Sequence, residues 1–214
     1  MLRCAITSGE FALAEGNAAE VCARARDRLL DRAQGWAELG VEFVQLREKG
    51  LAATELVRLA AAMRAGLREA GGRTKLLVNG PASVAVEAGA DGVHLTSRMG
   101  EQTAAEVRQV FAAAGAGEPM VSASCHTLAD VRRAVDQGVD LILFGPVFEK
   151  RVGGEVVVAG VGLERLREAC AAAGGIPVLA LGGVTWANAG RCVEAGAAGV
   201  AGIRLFGDEG EPKE

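Results

Sequence analysis

The chain has 214 residues, half of them apolar, with 30 Gly, no Tyr, 6 Phe and 2 Trp, so one domain with an aliphatic core is expected. A net charge of −4, from 23 basic and 27 acidic residues, argues against nucleic acid or an anionic membrane surface as partner. Five scattered Cys without a CxxC pair, no spanning apolar run and no signal-peptide pattern in MLRCAITSGEF point to a soluble cytoplasmic protein.

The first predicted strand covers 2–7. A helix over 18–39 follows, with Val21, Leu29, Ala33 and Trp36 on its inner face. The second strand, 41–47, leads to a helix capped by Thr54 and running to residue 70, with Leu56, Leu59, Met63 and Leu67 at three- and four-residue spacing. Strand 75–79, helix 82–88, strand 91–95, helix 104–114, strand 119–124, helix 128–137 and strand 139–144 continue the alternation. An insertion over 149–160 precedes helix 163–173, strand 177–181, helix 187–195 with Thr185 as cap, and strand 199–203.

Four phrases repeat one pattern: AELGVEFVQL, EAGADGVHL, DQGVDLILFG and EAGAAGVAGI. Their Gly40, Gly89, Gly138 and Gly196 sit where a helix end needs a left-handed residue before a buried strand. Eight strands alternating with helices in about 210 residues fit a single (β/α)8 TIM barrel over 1–206. A doubly wound open sheet is the alternative, disfavoured because no GxGxxG follows the first strand. Residues 207–214 read as an acidic tail, so the eighth outer helix is short or absent. That gap predicts a homodimer.

In such a barrel the chemistry lies at the C-terminal strand ends. In VQLREK a period of two places Phe43, Gln45, Arg47 and Lys49 on one face, pointing into the barrel mouth, with Val44 and Leu46 on the other. The two histidines, His94 and His126, both fall at strand ends. Neither has metal-ligand spacing to another donor, so no metal and no cofactor are expected. Cys125 reads as a buried thiol rather than a nucleophile. Gly182 and Gly183 after the seventh strand, with Gly202, Ile203 and Arg204 after the eighth, have the makings of a phosphate cradle built from backbone N–H groups. The Gly153-Gly154 insertion reads as a small hairpin, either a lid or a surface decoration.

AIT at the start, VQLREK, LLVNG…AGADGVHL, SASCHT, DLILFGPVFEK and PVLALGGVTWANAGRCVEAGAAGVAGI together resemble the thiamine phosphate synthase/TenI superfamily. The resemblance implies a compact, usually dimeric barrel acting on a thiazole phosphate. A synthase of this family joins that phosphate to a pyrimidine pyrophosphate with Mg²⁺, using an Asp directly after the third-strand Asn, another shortly after GVHL, and a threonine-rich clamp after GPVF. Here Gly80 follows Asn79, TSRMG follows GVHL, and EKRVGG follows GPVF. The sequence therefore looks more like the thiazole tautomerase branch, which shifts a proton on a thiazole carboxylate phosphate without metal. That likeness makes His126 the acid/base. With it, Lys49 is expected as the second catalytic residue, Lys49 and Arg47 neutralising the substrate carboxylate, and Gln45, Arg47, Asn79 and His94 as substrate-binding residues. The alternatives are a thiamine phosphate synthase and a non-catalytic regulator that binds a phosphorylated metabolite.

Overall fold

The computed structural model of the chain describes residues 1–9, 19–97, 102–152 and 155–207, with the side chains of 19–21, 150–152 and 155 left aside. In chain order the elements are β1 (Leu2–Ile6), α1 (Ala19–Glu38), β2 (Phe43–Leu46), α2 (Ala53–Glu69), β3 (Lys75–Val78), α3 (Ala82–Glu87), β4 (Gly92–Leu95), α4 (Ala104–Ala113) and β5 (Met120–Cys125). There follow α5 (Leu128–Asp136), β6 (Leu141–Phe144), β7 (Lys150–Val152), β8 (Glu155–Val158), α6 (Gly162–Ala172), β9 (Val178–Leu181), α7 (Trp186–Glu194) and β10 (Gly199–Gly202).

Eight strands close in the order β1-β10-β9-β6-β5-β4-β3-β2, while β7 and β8 form a separate antiparallel pair. Closure excludes the open-sheet alternative. Neighbouring strands pair in parallel, as in Val44 opposite Leu76 and Ile142 opposite Val178. The strands are buried on both faces, and the largest fully buried side chains are Leu, Ile and Met apart from Phe144. That is the aliphatic core a Tyr-free composition requires.

The chain forms two compact units. One holds Met1–Cys4, Leu95–Ala105 and Val121–Glu214; the other holds Ala5–His94 and Glu106–Met120.

The four repeated glycines have φ between +65° and +97°, so each fills the left-handed position after a helix. Close approach fixes two others. A Cβ on Gly92 would sit 1.8 Å from the Met120 carbonyl oxygen, and one on Gly199 would sit 1.9 Å from that of Leu2. Two strand beginnings thus meet only because no side chain intervenes.

Three expectations need correction or completion. Thr54 is not the cap of α2: Ala52 is, and its N–H is satisfied by Glu55 Oε2 at 3.4 Å. That is the Glu half of a capping box, while the Glu55 N–H, which a cap hydroxyl would have taken, donates to the Ala52 carbonyl at 3.0 Å. At α7, Thr185 is the N-cap as expected, its N–H donating to Asn188 Oδ1 at 2.8 Å. After β10 no helix occurs among the described residues. A turn follows instead, burying Leu205 and Phe206, with the Phe206 ring edge-on to Trp186 at 5.5 Å. The Val21 side chain, Gly153-Gly154, and residues 208–214 of the expected tail lie outside the described residues.

Candidate functional site

The unit containing β5, β6, β9 and β10 carries His126 and the five expected phosphate-binding residues. His126 is the first residue past β5, exposed, and held at both backbone and ring. Its N–H donates to Asp130 Oδ2 at 3.0 Å, and the next N–H, of Thr127, donates to the same oxygen at 2.9 Å. Asp130 is the third residue of α5, whose N-cap Thr127 accepts from the Asp130 N–H at 3.1 Å. The ring Nδ1 lies 2.5 Å from the Gly145 carbonyl oxygen. A carbonyl can only accept, so Nδ1 carries the hydrogen and Nε2 is left with its lone pair.

Asp130 is itself tied down by Arg133 at 2.5 Å. Burial alone would push its carboxyl up. Hydrogen bonds from His126, Thr127 and Arg133 outweigh that and hold it below the usual carboxylate value. Cys125 is buried and its thiol is pushed up to about 12, first by burial and then by the Asp130 charge, so it is no nucleophile at neutral pH.

Gly145 owes its identity to packing: a Cβ there would fall 2.0 Å from the Leu181 carbonyl oxygen. The segment after it straps onto the loop after β9. Val147 N–H donates to Leu181 O at 2.8 Å, and Phe148 N–H donates to Gly182 O at 2.9 Å. Gly182 (φ +88°) and Gly183 (φ +65°) are both left-handed, and a Cβ on either would strike Pro146 or Phe148 within 2.7 Å. Both glycines are therefore required by backbone shape before any ligand is considered.

Once these glycines are folded, donors are left over. Among the described residues the N–H groups of Gly183, Ile203 and Arg204 have no hydrogen-bond partner, and neither has the exposed Arg204 guanidinium. Gly202 ends β10 with a Cβ position only 2.9 Å from Leu205 Cβ. Loops with unpaired N–H groups at barrel strand ends can accept a phosphate dianion.

The other unit carries Gln45, Arg47, Lys49, Asn79 and His94. The ends of β1 and β2 are laced together: Thr7 N–H donates to Gln45 O at 3.0 Å, and Arg47 N–H to Thr7 Oγ1 at 2.9 Å. Gln45 is buried, Arg47 half-buried and Lys49 exposed; neither cationic group has an ion-pair partner among the described residues. Asn79 is half-buried, its N–H donating to Leu46 O at 2.9 Å. The period of two placed Val44 and Leu46 opposite Gln45, and by the same alternation Glu48 should face outward. Glu48 is buried, as Val44 and Leu46 are, and accepts from the Gly9 N–H at 3.2 Å. β2 itself ends at Leu46.

His94 is buried within β4. Burial first, and the Arg47 charge second, lower its pKa to about 3, so it stays neutral. The sequence reading gave no role to Glu48, Thr7, Asp130 or Gly145. Only Asp130 had a visible signal, the T-x-x-D spacing of a capping box in Thr127-Leu-Ala-Asp130.

Residues 19–206 match a family model described as thiamine monophosphate synthase. A putative thiamine-phosphate synthase of Geobacter sulfurreducens is 42% identical over 191 residues, covering 87% of this chain and 83% of that protein. Thiamine-phosphate synthases of Methanoculleus marisnigri and Neisseria meningitidis serogroup B are each 34% identical, covering 80% and 81% of this chain and 77% and 80% of theirs. The solved thiamine phosphate pyrophosphorylase of Pyrococcus furiosus superposes with a TM-score of 0.73 at 23% identity, over 98% of this chain and 89% of its own, a likeness of fold. Sequence and fold converge: the chain belongs to the thiamine monophosphate synthase (TMP-TENI) family.

Proposed function

We propose that this protein is an enzyme of thiamine biosynthesis whose substrate is a thiazole phosphate. One observation carries this: at the ends of β9 and β10 the N–H groups of Gly183, Ile203 and Arg204 and the Arg204 guanidinium have no partner among the described residues. Together they supply donors and positive charge for a phosphate dianion.

Two reactions can follow on that anchor. The names of the relatives put the transferase first, the condensation of a thiazole phosphate with a pyrimidine pyrophosphate. The family pattern routes that reaction through Mg²⁺. The residues here do not fit the ion: Gly80 offers no carboxylate after Asn79, and a Cβ on it would find Leu56 Cδ2 at 3.3 Å. No group of three or more His, Cys, Asp or Glu among the described residues could hold a metal.

That mismatch supports a second reading, the metal-independent tautomerase. There His126 Nε2 takes a proton from the dihydrothiazole carboxylate phosphate and returns it at another atom of the ring, while Nδ1–H stays on the Gly145 carbonyl. Lys49 and Arg47 would balance the substrate carboxylate. Gln45, Asn79 and neutral His94 would complete the substrate contacts.

Purified protein incubated in parallel with each substrate set separates the readings. Thiamine phosphate formed from thiazole phosphate, pyrimidine pyrophosphate and Mg²⁺ establishes the transferase. Aromatisation of the dihydrothiazole carboxylate phosphate in EDTA establishes the tautomerase. Turnover in neither, with thermal protection by thiazole phosphate, leaves a phosphate-binding regulator, and absence of binding as well overturns the proposal.

A further inference from the structure

We infer that Asp130 is a positioning residue for His126, fixing through the backbone which ring nitrogen is offered to a ligand. The inference rests on His126 being the working side chain, and it concerns how the ring is held.

One carboxylate oxygen, Oδ2, accepts from both the His126 and the Thr127 N–H groups. Two bonds to one oxygen fix the peptide plane between those residues, and with it the direction of the His126 Cα–Cβ bond. The second oxygen, Oδ1, is held by Arg133, which stops the carboxylate from rotating away. Asp130 is also rooted in α5, so the ring is referenced to a helix rather than to a loop. From that fixed Cβ the imidazole meets the Gly145 carbonyl at Nδ1. The carbonyl accepts one hydrogen only from Nδ1, which forces the neutral ring into the Nδ1–H form. Nothing else in the described structure selects between the ring nitrogens of His126.

An ordinary helix cap predicts something different. A cap stabilises α5, and its loss should matter equally whichever half of the box is removed. The box here has two halves with different reach. Thr127 Oγ1 serves only the Asp130 N–H, whereas the Asp130 carboxylate serves His126. Removing each half separately tells helix stabilisation from ring placement.

The chain has only two histidines, and His94 is neutral down to about pH 3, so the imidazole nitrogen signals of His126 are readily assigned. Long-range ¹H–¹⁵N spectra of the full-length protein at a pH where His126 is neutral read the tautomer directly. Wild type should show the Nδ1–H form. Asp130→Asn, which keeps an oxygen acceptor, should retain it. Thr127→Ala should retain it while lowering thermal stability. Asp130→Ala should give a mixture of both tautomers, with turnover reduced by about 10–100-fold and KM little changed. An Nδ1–H tautomer undiminished in folded Asp130→Ala, or equal mixing in Thr127→Ala, would overturn the inference. The acid/base reading fails by a separate sign, wild-type turnover in His126→Ala, on which the tautomer result does not depend.

Discussion

An imidazole whose Nδ1–H is committed to a carbonyl has one nitrogen left for chemistry, and at His126 that nitrogen is Nε2. If it carries the proton, His126→Ala should lower turnover by about 10²–10⁴-fold with binding of the phosphate unchanged. His126→Gln should be nearly as slow, because an amide hydrogen-bonds but does not exchange a proton at neutral pH. Lys49→Ala should instead raise KM together with a fall in turnover, as expected for a charge that meets the substrate. Steady-state kinetics on the three variants checks all of this, and an active His126→Ala would refute it. The other histidine makes a thermodynamic prediction. His94 titrates near 6.5 when unfolded and about 3 when folded, so the unfolded chain binds the proton first on acidification. Its contribution is fully present above pH 6.5 and is lost progressively as pH falls toward 3. Between pH 7 and 5 the wild type should lose about 2 kcal/mol more than His94→Gln in urea titrations. Asp130 does not blur that comparison. Its lowered carboxyl contributes above the ordinary 3.8 and is lost only below that value.

At the scale of elements, glycine decides how closely strands and helices can approach, and two positions in the chain give opposite predictions. Gly199 opens β10 with the Leu2 carbonyl 1.9 Å from its Cβ position. Gly199→Ala must push β10 from β1 and should cost at least the ~1–3 kcal/mol of an overpacked core. Gly190 lies inside α7, exposed, with nothing within 4 Å of its Cβ position. Gly190→Ala should stabilise by about 0.5–1 kcal/mol, because only the helical propensity changes. Denaturant midpoints of the two variants should move in opposite directions. The repeat of Gly before an apolar run made these elements legible in the sequence, since one residue type satisfies the helix end and the following strand is apolar on both faces. The Glu48 contact with Gly9 spans 39 residues, and no local period encodes it. The partner of His126 was hidden for the same reason. Gly145 is a backbone acceptor 19 residues on, and a carbonyl leaves no mark on a sequence.

For the whole molecule, the question is which apolar surface a second copy would cover. The sequence reading expects that surface beside β10, where no eighth helix occurs among the described residues. In the turn after β10, Leu205 and Phe206 are themselves buried, the latter against Trp186. Exposed apolar side chains include Ile203 just past β10, Val193 on α7 and Leu39 after α1, and the longest consecutive run of them lies on β8. Val156, Val157 and Val158 on β8 are 42–52% exposed in an unbroken run, and Val161 follows at 38%. A two-stranded ribbon is marginal by itself, and a β-prone apolar strand with open backbone groups invites pairing. The ribbon is also rooted firmly. Val161 N–H donates to Pro146 O and Gly162 N–H to Val147 O, both at 2.9 Å, so the strands leave the barrel from a fixed base. We propose that the protein is a homodimer in which this ribbon is covered by the second copy. Light scattering at micromolar concentration should give about twice the chain mass of 21.9 kDa, and Val157→Lys should shift it to the monomer by placing a charge in the covered strand. A wild-type mass of 21.9 kDa would refute the dimer, whereas a dimer indifferent to Val157→Lys would move the interface away from the ribbon.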